Sequence, residues 1–150
     1  MKGWKKMKKV LALLLALILS ASCITSLAEN TTLYPKDASF LQGIAGGEKA
    51  SGFTKGKYIG FAGVDLTGKN SLEVKADVHF HGTSNGCAIR VMIDHPVTGS
   101  QIGTIVMSEN TDTFSCYIEP TSGTHDVYFV GYYGPSGDTS YASVKSFEFK

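Results

Sequence analysis

No segment of the 150-residue sequence holds a helical period for long, which removes helical bundles and helix-covered parallel sheets from consideration. It has no GxSxG, HExxH or CxxC pattern, the local signatures of a serine hydrolase, a zinc hydrolase and a thiol redox site. Its glycine-rich segments do not precede helices, which argues against a phosphate cradle. Tryptophan occurs once, at Trp4, and proline four times. No repeat or low-complexity linker divides the chain, whose length suits one domain. The chain is read as non-catalytic.

One apolar run exists, Val10–Leu19, and it is too short to span a bilayer comfortably. Lys2, Lys5, Lys6, Lys8 and Lys9 precede it, and Ser26-Leu27-Ala28 follows as a small-x-small cleavage site. Residues 1–28 therefore read as a secretory signal peptide. The alternative is a lipid anchor through Cys23, because Leu19-Ser20-Ala21-Ser22-Cys23 is similar to a lipobox. The whole chain carries 14 basic and 13 acidic residues. Without the leader lysines, residues 29–150 carry nine basic against 13 acidic, a formal charge of −4. A mildly acidic exported domain is a poor nucleic-acid binder, so no nucleic-acid partner is expected.

What is present is alternation. Cys87, Ile89, Val91 and Ile93 fall on one side of a strand, with Ala88, Arg90, Met92 and Asp94 on the other. Pro96 and Gly99 turn the chain into a second strand, Gln101–Met107. Tyr58–Val64, Phe114–Ile118 and Thr124–Val130 are further strands. In Ser71–Phe80, Leu72, Val74, Ala76, Val78 and Phe80 oppose Glu73, Lys75, Asp77 and His79. Tyr141–Phe149 closes the series, with Tyr141, Ser143, Lys145, Phe147 and Phe149 set against Ala142, Val144, Ser146 and Glu148. Residues 29–34 read as a loose leader, and Gln42–Lys57 and Gly131–Thr139 as loops. Short strands separated by Gly, Pro, Ser and Asn define an all-β fold, a β-sandwich over residues 35–150.

Cys87 and Cys116 each fall in a strand. Outside the cytoplasm they could form a disulfide, or else two buried thiols. His79 and His81 share a strand face with Asp77, and His95 is in a neighbouring turn. They read as solvated histidines, with a zinc site as the alternative. His125-Asp126 reads as a hydrogen-bonded turn.

Three blocks, in order and at the right spacing, carry a resemblance. They are Tyr58–Asp65 (YIGFAGVD), Ile89–Asp94 with Pro96, Thr98-Gly99 and Ile102-Gly103-Thr104, and Ser122–Val130 (SGTHDVYFV). Over some 90 residues the chain resembles the family 6 carbohydrate-binding modules and their galactose-binding-like relatives. The resemblance implies a jelly-roll sandwich that binds polysaccharide without catalysis. It implies as partners a glycan and, on another chain, a glycoside hydrolase or a cell-surface protein.

In the family two acids near the chain ends help to hold a structural calcium. Ser39 stands at one of these positions and Lys145 at the other, so no cofactor is expected, and Lys145 is expected to stand in for the ion against Asp37. The family's loop-end cleft grips a sugar between two aromatic rings beside an Asn. Phe53 falls at the first ring, Thr111 near the second, a Trp in the family, and Ser143 at the Asn. Tyr133 or Tyr141 would supply a replacement platform. The alternative site is a concave face carrying Lys75, Asp77, His79, Arg90 and Met92. The alternative function is a structural or adhesion module that has lost sugar binding.

Overall fold

The structure, a computed structural model, describes residues 29–79, 87–133 and 141–150, the side chain of Tyr133 excepted. Among the described residues there are ten strands: β1 (Thr31–Leu33), β2 (Phe40–Gln42), β3 (Ala50–Ser51), β4 (Tyr58–Asp65), β5 (Ser71–Val78), β6 (Cys87–Ile93), β7 (Ser100–Met107), β8 (Thr113–Tyr117), β9 (Thr124–Tyr133) and β10 (Ala142–Phe149). One sheet has the order β1-β10-β5-β8, with β3 also paired to β10. The other has the order β2-β4-β9-β6-β7, and every pairing is antiparallel. The fold is therefore the jelly-roll β-sandwich that the alternation and the resemblance imply.

The two inner faces meet in an aromatic core. Phe129 of β9 stacks on Phe147 of β10 with ring centroids 3.7 Å apart, and Phe61 lies edge-on to both at 6.0 Å. Ile89, Val91 and Ile93 face inward from β6, as their period requires. In β10 the strict alternation is broken. A bulge between Val144 and Ser146 inserts one residue, so Ala142 and Val144 before it and Phe147 and Phe149 after it all face the core.

Two expectations are corrected here, and the alternative of two thiols is the one found at the cysteines. The leader is not loose, because Thr31–Leu33 pairs with Phe147–Phe149. Behind it the Lys69 ammonium is buried and donates to the Glu29 carbonyl. Cys87 and Cys116 are free thiols, carried on strands of opposite sheets. Burial pushes the Cys87 thiol up to about 12 and raises Cys116 as well, so both stay protonated at neutral pH. The strand Thr124–Tyr133 runs three residues past its expected end, and Gly131–Tyr133, read as loop, continues its pairing with β6.

Candidate functional site

The outer face of β2-β4-β9-β6-β7 is built in cross-strand rows. One row runs Phe40, Gly60, Tyr128 and Met92. The next runs Gln42, Tyr58, Val130, Arg90 and Thr104. Gly60 makes the first row possible. A Cβ there would lie 2.6 Å from the Tyr128 ring, so only glycine lets that ring lie down on the sheet. Phe40 stacks on Tyr128 at 5.4 Å, and Tyr58 meets it edge-on at 5.6 Å. The three rings form a shelf. Tyr128 is only 7% exposed and forms its base, so the ring surface open to a sugar's C–H face is that of the half-buried Phe40 and Tyr58. Burial, with Asp126, Tyr58 and Asp94 close by, raises the Tyr128 phenol.

The two ends of this face differ. At one end, Asp126 accepts from the Gly63 N–H at 3.0 Å and Asp94 sits 2.9 Å from His125 Nδ1. His125 Nε2 faces the Ser122 carbonyl at 3.2 Å. Both ring nitrogens thus face acceptors, which suits the imidazolium, and the Asp94 bond is the main reason that the His125 pKa is raised. Asp94 itself has a φ of 67°, a left-handed conformation that Asp tolerates better than most residues. At the other end the Arg90 guanidinium lies 3.4 Å over the Tyr132 ring.

The outer face of the other sheet is a charge network. Asp77 accepts from Lys145 at 2.5 Å and from Lys49 at 2.7 Å, and these two bonds hold its carboxyl down at about 2. Ser143 Oγ lies 3.1 Å from His79 Nε2 and 3.2 Å from Ser51 Oγ. Lys150 bridges Glu73 and Glu148.

The residues expected at a loop-end cleft are not assembled there. Phe53 is 0% exposed and Tyr141 2% exposed, so neither ring offers a face to a sugar. The reason is local. The Phe53 carbonyl accepts the Tyr141 N–H, and the Tyr141 hydroxyl donates to the Ala88 carbonyl inside the sandwich. Thr111 is exposed in a turn that its own Oγ1 ties to Thr113, and Ser143 belongs to the other sheet's outer face. The Tyr133 side chain lies outside the described residues, as does His81.

The alternative face is corrected too. Lys75, Asp77 and His79 extend from β5 and Arg90 and Met92 from β6, and these strands belong to different sheets. The two groups therefore lie on opposite outer surfaces. Lys145 pairs with Asp77 and not with Asp37, while Ser39 Oγ accepts from the Ala62 N–H at 3.1 Å. Asp37, Ser39 and Asp65 line an open groove of about 280 Å³. His95 Nδ1 accepts from the N–H groups of Val97 and Thr98, so this histidine shapes its turn. Among the described residues no three His, Cys, Asp or Glu side chains gather as metal ligands.

Sequence reasoning missed Phe40, Tyr58 and Tyr128. The signal was available: if Val127 and Phe129 face inward, Tyr128 and Val130 must share the outer face with Arg90 and Met92.

The structure is similar to solved carbohydrate-binding modules. A family 6 module from Clostridium cellulolyticum, solved with xylose, matches with a TM-score of 0.67 and 26% identity over 80% of this chain and 96% of that one. A β-1,3-glucan-binding family 6 module from Bacillus halodurans matches at 0.65 and 19% identity, over 80% of this chain and 95% of that one. A family 43 arabinoxylan arabinofuranohydrolase from Bacillus subtilis, solved with cellotetraose, matches at 0.66 and 16% identity, over 80% of this chain but 27% of the enzyme. No protein-family model and no curated protein matches by sequence. The fold is that of the family 6 modules.

Proposed function

We propose that this protein is an exported, non-catalytic module that binds polysaccharide on the outer face of β2-β4-β9-β6-β7. The observation that carries this reading is the shelf of Phe40, Tyr58 and Tyr128, set on a sheet of the family 6 fold. Similar modules solved with xylose or named for β-1,3-glucan support a sugar ligand. The match within an arabinofuranohydrolase supports a glycoside hydrolase as partner. Export removes residues 1–28, with lipid attachment at Cys23 as the alternative.

Protein recovered from the medium of an expressing host, beginning at Glu29, is expected to be retarded in gels containing polysaccharide. Tyr58→Ala and Tyr128→Ala should each weaken that binding by roughly tenfold or more, the scale of a central aromatic anchor. Folded variants that bind as tightly as the parent would remove the site from this face. The burial of Phe53 and Tyr141 favours a second reading, an adhesion module without sugar binding. It would be adopted if no polysaccharide retards the protein.

The fold needs no calcium on this reading. Calcium takes six to eight oxygens, preferably charged. The corresponding positions here offer the Asp37 carboxylate and a hydroxyl already accepting a bond, while the lysine at the third is engaged by Asp77. A chelator should leave the melting temperature unchanged; a fall that added calcium restores would overturn this.

A further inference from the structure

We propose that the glycan is acidic, and that Arg90 grips the carboxylate of a uronic acid residue lying beside the aromatic shelf. This rests on the sugar-binding reading above. Arg90 is the only arginine in the sequence. It projects from β6, flanked by β9 and β7, in the row of the proposed binding face next to the aromatic one. Its Nε is buried and has no hydrogen-bond partner. Among the described residues no carboxylate pairs with its guanidinium, although four lysines or histidines elsewhere have found one.

A half-buried cation that no described carboxylate pairs is costly in the free protein, and a carboxylate ligand would recover that cost. The side chain is also already placed. Tyr132 covers one face of the guanidinium at 3.4 Å, which fixes its plane and leaves its edge free to meet a ligand. A fixed planar fork matches the two oxygens of a carboxylate better than a flexible ammonium would.

The neighbours suit a sugar acid. Gln42 and Thr104 lie in Arg90's own row, with an amide and a hydroxyl for ring hydroxyls, and Tyr58 lies between Gln42 and Val130. The acids on this face, Asp94 and Asp126, are engaged by His125 and Gly63. Asp94 is four residues along the strand, about 13 Å away at the rise of an extended chain. Residues 29–150 carry nine basic against 13 acidic side chains, so overall charge does not draw an acidic polymer. Recognition must come from the local pair.

The test is affinity electrophoresis of the protein in polygalacturonate, alginate and glucuronoxylan, each also in carboxyl-reduced form, with neutral xylan, β-1,3-glucan and dextran sulfate alongside. At least one uronate polymer should retard the protein, and reduction of its carboxyls should weaken retention at least tenfold. Arg90→Gln should weaken it to the same degree, and Arg90→Lys should recover only a minor part. The carboxyl-reduction arm uses the unaltered protein, so it decides even if the variants fold poorly. Equal retention by native and reduced polymers would overturn the proposal, as would retention by dextran sulfate alone. Binding confined to neutral xylan or glucan would overturn it while leaving the sugar-binding reading intact. No retention by any glycan would overturn both.

Discussion

Replacing Phe129 by alanine should cost about 3–5 kcal/mol of folding stability, the range for truncating a buried aromatic. Phe129 is fully buried on a strand flanked by β4 and β6, and its ring meets two rings of the opposite sheet. Its centroid lies 3.7 Å from Phe147, 6.0 Å from Phe61 and 6.2 Å from Phe149. Deleting it leaves three rings facing a cavity that rigid sheets close only in part. In a domain of this size the melting temperature should fall by on the order of 10 °C or more. Phe129→Leu, which keeps much of the volume, should cost clearly less. Calorimetry and denaturant titration measure both, and a loss under about 1 kcal/mol for the alanine variant would mean that the sheets do not meet through this ring.

Gly131→Ala should produce the second large effect, by overpacking. A Cβ at Gly131 would lie 2.1 Å from the Thr54 carbonyl and 2.8 Å from the Tyr141 hydroxyl. Backbone must move to admit it. The Gly131 N–H donates to the Lys57 carbonyl and its own carbonyl accepts from Gly56, so what moves is the 54–57 turn. The expected loss is about 1–3 kcal/mol, at the upper end because the obstacle is backbone. The turn follows Phe53 directly, so the variant should also uncover that ring. Hydrogen exchange at the Gly56 and Gly131 amides should accelerate well beyond the change at Val91. Unchanged exchange at both would show that the turn is not held against β9.

The sandwich was legible because strand alternation reports burial directly. Cys87, Ile89, Val91 and Ile93 are all buried, as their spacing requires. In β10 the same logic failed locally. Strict alternation sets Ala142 and Val144 against Phe147 and Phe149, and a one-residue bulge turns both sets inward. Nothing in the composition of Val144-Lys145-Ser146 announces it.

Phe53 was misread for a different reason. The resemblance places it at a platform position, and only long-range bonds, from the Tyr141 N–H to its own carbonyl and between the 56–57 backbone and Gly131, fold it inside. The expected concave face failed because alternation tells which side of a strand is outer but not which sheet the strand joins. Between His79 and Cys87 the chain changes sheet, separating Asp77 from Arg90. The aromatic shelf was within reach of the same alternation, applied to Thr124–Tyr133 as well as to Cys87–Ile93.

β1 and β10 lie side by side and antiparallel, with Thr31 opposite Phe149. Entry to and exit from the domain are therefore a strand's width apart, at one corner of one sheet. Anything joined before Glu29 or after Lys150, whether a lipid, a linker or another domain, would hold the sandwich by that corner. The rings of Phe40, Tyr58 and Tyr128 belong to the opposite sheet and face away from the tether. Held in this way, the domain keeps the sheet that carries its aromatic side clear of the tether, whichever end is attached.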